Sequence, residues 1–233
     1  MGGTSCTSSN IGSLIYDSTN NNKISICLNY KESESIAVEL KDNAGDYIVA
    51  SGTVYGISTN EFAVVTVDAN SVTVKPIAAT GYYIADSSTM GLVATNNGEG
   101  DLYNCVTEGN KCTAVTDDIP VGYLINGGNG SGSVPYIECV DNDGTKTCKA
   151  IAVSAKACST AKTGGLIVDS SKYKLCLNDD TITVELLVTT ANPTYYMIGT
   201  GNVFGKAENS FVIIDVKDGN AILQGKNKEG KII

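Results

Sequence analysis

Apolar positions in this chain come in short runs separated by polar stretches rich in glycine and asparagine. The runs are dominated by Val, Ile, Thr and Tyr and bounded by Gly, Asn, Asp and Ser, as in FAVVTVD from Phe62 or FVIIDVK from Phe211. That composition and punctuation predict β-strands. Asp143-Gly144 and Asp218-Gly219 sit between such runs and predict hairpin turns, because glycine accepts the positive φ these turns demand. The nearest helix candidate, 150–161, carries β-branched residues and a cysteine and reads as a connector.

The runs recur. GSLIYDSTNNNKISICLNYKESESIAVEL from Gly12 matches GLIVDSSKYKLCLNDDTITVEL from Gly165, and VYGISTNEFAVVTVD from Val54 matches VFGKAENSFVIIDVK from Val203. A shorter unit lies beneath this one. GYYIADSSTMG from Gly81 continues to LYNCV, TEGN and KCTAV, and GYLINGGNGSGSVPYIECVDNDGTKTCKAI starts at Gly122. Each unit reads as one strand, a polar loop, then two strands around a tight turn. Six units fit, at 12–40, 46–77, 81–115, 122–151, 165–188 and 195–224. The expected fold is all-β, with tandem strand-plus-hairpin repeats stacked into an elongated, disulfide-stapled, solenoid-like array. A repeat this short cannot bury a core alone and relies on its neighbours. The expected divisions are 1–77, a pair of β repeats; 78–157, the pair of Gly-Tyr/Cys hairpin repeats; and 158–233, a pair resembling the first.

Eight cysteines change the picture: Cys6, Cys27, Cys105, Cys112, Cys139, Cys148, Cys158 and Cys176. No CxxC and no histidine occur, so no metal site is expected. An even set reads as disulfides formed in an oxidising, extracellular setting, secreted or at a cell surface. Cys105 with Cys112, and Cys139 with Cys148, flank predicted turns. In units lacking them, Val65 with Val74 and Ile214 with Leu223 hold the equivalent places, so a bridge and an apolar pair occupy one cross-strand position. The preferred connectivity is Cys6–Cys27, Cys105–Cys112, Cys139–Cys148 and Cys158–Cys176, one of about a hundred that eight cysteines permit. Asn129-Gly130-Ser131 is a candidate glycosylation site, with Asn129 the acceptor. No apolar run is long enough to span a membrane. The opening Met1-Gly2-Gly3 is not a signal peptide, so the chain is expected to be a fragment of a larger repeat protein.

The sixteen basic residues are all Lys, against twenty-five carboxylates, giving a net charge of −9. Nucleic acid and anionic membrane surfaces are therefore unsuitable partners. Without histidine, Ser-His and Cys-His catalysis is excluded. Glu32 with Glu34 and Asp179 with Asp180 read as solvated turn carboxylates rather than a glycosidase pair. Asp141-Asn142-Asp143-Gly144 reads as a turn rather than a calcium loop, whose later ligands are absent. No catalytic residue and no cofactor is expected, and the chain reads as a non-enzyme. Tyrosine is the main aromatic, twelve against three Phe and no Trp. Tyr82, Tyr83, Tyr103, Tyr123 and Tyr136, at the Gly-Tyr starts and before the hairpin cysteines, are the candidate binding residues, with packing of small inter-repeat cores as their alternative role.

The strings from Gly81 and Gly122 resemble the Gly-Tyr and Cys-bearing repeats of scaffoldins from anaerobic gut fungi, best over 81–151 and more loosely over the flanking units. The resemblance implies a non-catalytic, cohesin-like piece of a secreted cellulosome scaffold whose partners are the dockerins of plant-cell-wall-degrading enzymes. It carries over no dockerin-contacting residue. Two other classes stay open: a structural spacer or cell-surface adhesin stalk, and a glycan-binding module.

Overall fold

A computed structural model describes residues 5–18, 23–30, 34–50, 61–128, 132–154, 157–158, 163–177, 182–186, 192–199, 203–205 and 211–224. Among them every regular element is a strand apart from two single 3₁₀ turns, so the chain is all-β. The strands are β1 (Leu14–Asp17), β2 (Lys23–Tyr30), β3 (Glu34–Glu39), β4 (Gly45–Ala50), β5 (Phe62–Asp68), β6 (Ser71–Val74), β7 (Gly81–Ala85), β8 (Glu99–Val106), β9 (Lys111–Ala114), β10 (Gly122–Ile125), β11 (Tyr136–Asn142), β12 (Thr145–Ile151), β13 (Leu166–Asp169), β14 (Lys172–Cys176), β15 (Thr183–Glu185), β16 (Thr194–Gly199), β17 (Phe211–Lys217) and β18 (Asn220–Leu223). In chain order they pair as six antiparallel triplets, β1-β2-β3 through β16-β17-β18.

Local chemistry explains the hairpins. Asp143 and Gly144 both have positive φ, as do Asp218 and Gly219, and each pair joins strands through a two-residue loop. That is the primed turn whose twist suits a hairpin. The Gly144 amide donates to Asp141 Oδ1 at 2.8 Å, which accounts for the DNDG string as a turn. The segment 150–161 contains no helix among its described residues; Ala150 and Ile151 finish β12.

The chain divides into two compact units. One comprises Met1–Ala94, Gly98–Asp117 and Gly127–Gly130; the other Thr95–Asn97, Asp118–Asn126 and Ser131–Ile233. The division falls inside the segment 78–157, with β7, β8 and β9 in the first unit and β10, β11 and β12 in the second. Within the first unit, β1-β2-β3 is a sheet of its own. Alongside it, β5 pairs β4 on one edge and both β6 and, through Phe62, β9 on the other, while β8 pairs β7 and β9. Ile26, Leu28, Val38 and Leu40 of the small sheet share one core with Tyr47, Val49, Val65 and Val67. Within the second unit, β13-β14-β15 is the small sheet, and the larger one runs β16-β17-β18-β10-β11-β12. Leu175 and Leu186 pack there with Ile198, Phe204, Ile214 and Val216.

Four disulfides link Cys6 to Cys27, Cys105 to Cys112, Cys139 to Cys148 and Cys158 to Cys176, and no cysteine is free. The two hairpin bridges join directly opposed residues, and Val65 with Val74 and Ile214 with Leu223 are opposed in the same way. The other two bridges tie the chain ahead of each small sheet to its middle strand. Neither Asn129 nor the pair Asp179-Asp180 nor Glu32 lies within the described residues, and Glu34 begins β3.

The two repeat-start glycines differ physically. Gly122 has φ 141°, and a Cβ there would meet the Ala221 carbonyl oxygen at 2.2 Å because β18 pairs against it. Gly81 has no atom within 4 Å of such a Cβ. Gly122→Ala is therefore expected to cost about 2–4 kcal/mol and Gly81→Ala less than about 0.5 kcal/mol, read as urea midpoints. Equal shifts in the two variants would show that the β10–β18 contact does not set the glycine requirement.

Candidate functional site

The five candidate tyrosines lie on the Gly-Tyr strands and their hairpin partners. Tyr83 and Tyr103 are opposed across β7 and β8, and both are buried. Tyr103 meets Phe62 edge-to-face at 5.1 Å between ring centres. Gly127 lies against the Tyr83 ring, where a Cβ would come within 2.6 Å. In the second unit Tyr123 meets Phe204 at 4.9 Å and Tyr136 meets Tyr173 at 5.1 Å, again edge-to-face. The Tyr136 hydroxyl donates to the Gly219 carbonyl at 3.1 Å. That of Tyr123 bonds to the carboxylate of Glu138, which pairs with Lys149 at 3.1 Å. Each buried ring thus has an aromatic or glycine contact, and the hydroxyls of Tyr123 and Tyr136 are satisfied as burial requires.

Tyr82 alone of the five is half-buried; it opposes Asn104, which opposes Thr113, and both of those are exposed. Tyr83, Tyr103, Tyr123 and Tyr136 present almost no ring area to a partner. Alternation along a strand explains the split, since Tyr82 and Tyr83 point to opposite faces. Burial raises the hydroxyl pKa of Tyr82, Tyr83, Tyr103, Tyr123 and Tyr136, and of Tyr47, above the ordinary tyrosine value.

A different surface carries exposed apolar groups. On β16 and β17, Tyr195, Met197 and Phe211 are 56%, 68% and 75% exposed. Register puts Tyr195 opposite Asp215, Met197 opposite Ile213 and Gly199 opposite Phe211, so these residues form one sheet face. Ile222, opposite Asp215 on β18, extends it. Asp215 accepts from Gln224 Nε2 at 3.2 Å through one oxygen, while its other oxygen is buried without a hydrogen bond. Loss of solvent around it raises its pKa. Sequence reasoning passed over this face because it weighed tyrosines by their place in the repeat. The available signal was FVIID, apolar on both alternating sets.

Among the described residues no cluster of three metal-ligating side chains occurs, and no helix is long and apolar enough to cross a membrane. The ion pairs are Lys with Asp or Glu, partly exposed, as between Lys75 and Asp46 or Lys111 and Glu61. Such pairs set surface charge more than stability. What this arrangement offers chemically is contact area and sheet edges. Comparison with family models, with curated proteins and with solved structures finds no match.

If the β16–β17 face is bare, charging it should cost little. Met197→Lys with Phe211→Lys is expected to move stability by less than about 0.5 kcal/mol while reducing dye binding to apolar surface. Ile48→Lys, on the matching face of β4–β5 but fully buried, is expected to cost at least ~3 kcal/mol. Chemical denaturation of both variants checks the contrast.

Proposed function

We propose that the chain is a non-catalytic piece of a secreted scaffold, an array of three-stranded repeats that binds the dockerins of plant-cell-wall-degrading enzymes. The supporting observation is a common row across the two best-matching repeats. Gly81 opposes Cys105, which opposes Cys112, and Gly122 opposes Cys139, which opposes Cys148. The residues on which the scaffoldin resemblance rests thus occupy one architectural position in both hairpins. Stacking of such units along the chain is the solenoid-like part of this reading. Several modest sites on one chain would concentrate enzymes at an insoluble substrate. The acidic surface would favour partners with a basic patch. Four disulfides are compatible with an oxidising, extracellular location.

Burial of Tyr83, Tyr103, Tyr123 and Tyr136 favours a second reading, a structural spacer or surface stalk, in which the tyrosines only pack. Calorimetric titration of the oxidised chain with a dockerin-bearing fungal cellulase, beside the same enzyme without its dockerin, separates the two. Saturable heat with the dockerin alone is the expected result. No heat from either, with the chain folded, would leave the spacer.

A further inference from the structure

We propose that the outer face of β16–β17, with the edge of β16 that no other described strand pairs, is the docking surface for a further repeat of the 81–115 kind carried in the same array. The proposal rests on the array part of the reading above and not on dockerin binding.

The triplets β4-β5-β6 and β16-β17-β18 are the same object twice. All six strand limits of one are those of the other moved along the chain by a single constant offset. The registers also agree: Ala50 with Phe62 becomes Gly199 with Phe211, Ile48 with Val64 becomes Met197 with Ile213, and Asp46 with Thr66 becomes Tyr195 with Asp215. The inner faces behave alike. Val49, Ala63, Val65 and Val67 are buried under the first small sheet, and Ile198, Ile214 and Val216 are buried in the second unit's core.

The outer faces do not. Ile48 and Val64 are 0% exposed, in one core with Tyr83, Met90 and Tyr103 of the segment 81–115. Their counterparts are the exposed Met197 and the half-buried Ile213. The same segment closes the edge of β4, where Ile48 N–H donates to the Met90 carbonyl at 2.9 Å and Leu92 N–H to the Asp46 carbonyl at 2.7 Å. That arm is braced by Asp86, whose Oδ1 accepts from the Ser88 and Thr89 amides at 2.9 and 2.8 Å. Among the described residues β16 pairs only with β17. The opposite edge of this triplet is already continued, since β18 pairs with β10 of the segment 122–151. A repeat of the 122–151 kind therefore takes the β18 side. The segment 81–115 reaches the other side of β5 too, through Phe62 and Cys112, but it is its contact with the β4 edge, through Met90 and Leu92, that the β16 side matches.

A strand apolar on both faces belongs to a sheet covered on both faces, and an apolar edge left open invites uncontrolled pairing. In the docked arrangement the incoming arm's Met90 counterpart accepts from Met197 N–H. Its Leu92 counterpart donates to the Tyr195 carbonyl, and its Tyr103 counterpart stacks its edge on Phe211.

The test joins a copy of residues 78–118 after Ile233 of the intact oxidised chain through a flexible linker. Peroxide oxidation of Met197, followed by peptide mass spectrometry, and amide exchange of β16 are then compared with the unfused chain. Oxidation and exchange are expected to slow roughly tenfold, the protection given by a face docked about nine-tenths of the time. Phe211→Lys in the fusion should restore the unfused rate. Oxidation of Met197 at the unfused rate overturns the proposal whether or not the added repeat orders itself, because the face is what should order it. Concentration-dependent protection of Met197 in the unfused chain would overturn it by assigning the face to a second copy. Protection by a dockerin-bearing enzyme would overturn it while upholding dockerin binding. Protection in the fusion with no dockerin heat would uphold it while removing the dockerin reading.

Discussion

Raising the pH from about 10 to about 12 is expected to unfold the protein cooperatively while its disulfides remain closed. Tyr83, Tyr103, Tyr123 and Tyr136 are nearly fully buried, and burial holds each hydroxyl pKa above the unfolded value near 10. A group whose folded pKa is raised contributes stability that is complete below the unfolded pKa and lost as pH climbs towards the folded one. In this window the unfolded chain releases protons that the folded chain keeps, so stability falls with pH. The linkage slope is ~1.4 kcal/mol per pH unit for each fully shifted tyrosine, so Tyr103, Tyr123 and Tyr136, whose hydroxyls are raised furthest, together cost about 4 kcal/mol per unit, and Tyr83 adds to this in the same direction. Two such units remove about 8 kcal/mol, which lies within the about 5–15 kcal/mol by which a domain is stable and brings the unfolding transition into this pH range. Absorbance of tyrosinate near 295 nm should show the exposed tyrosines titrating first. The buried set should follow in one step that coincides with loss of the β signal in circular dichroism. Titration of all twelve along one ordinary curve, with the strands intact, would contradict the packing described for these four rings.

Reduction of the four bridges is the second large effect. The Cys6–Cys27 and Cys158–Cys176 bridges have sequence separations of 21 and 18, and the hairpin bridges 7 and 9. By loop entropy each of the first two contributes about 3 kcal/mol and each hairpin bridge about 2.5 kcal/mol. Removing the Cys158–Cys176 bridge alone, as Cys158→Ala with Cys176→Ala, is expected to lower the melting midpoint by about 6–12 °C. Complete reduction removes about 11 kcal/mol, comparable with the whole stability of a domain, and should leave the chain unfolded at room temperature. The hairpin bridges allow a finer test, because Val65 with Val74 fills the same cross-strand position without sulfur. Cys139→Val with Cys148→Val should retain roughly half of what Cys139→Ser with Cys148→Ser loses, since opposed valines replace part of the contact. A midpoint unmoved by reductant would show that packing alone holds the fold.

The sequence was most informative where chemistry is local. Asp143-Gly144 and Asp218-Gly219 announce their turns because few residues accept two successive positive φ values. Cys139 and Cys148 announce their bridge because the turn between them fixes which residues oppose. The strand-plus-hairpin pattern is legible for the same reason, since each triplet pairs with its own neighbours in sequence. Less was legible where partners lie far apart. Nothing in GYYIAD says whether Tyr82 or Tyr83 turns inward, because the answer depends on Gly127 and Phe62. The arm that closes the β4 edge looks like an ordinary polar loop until Met90 is seen beside Ile48.

The disulfides have a consequence for a chain held under tension, as any protein tethered between a surface and a working enzyme would be. Each bridge withholds the residues it encloses from extension. Together the four enclose about 55 residues, which at full stretch span ~190 Å. An oxidised chain pulled from its ends therefore yields a contour shorter by that length than a reduced one. The chain between Cys6 and Cys27, and between Cys158 and Cys176, stays slack while everything outside those bridges is drawn straight. The middle strands β2 and β14 are thereby shielded from load along most of their length, so each small sheet keeps a template on which to re-form once the force is released.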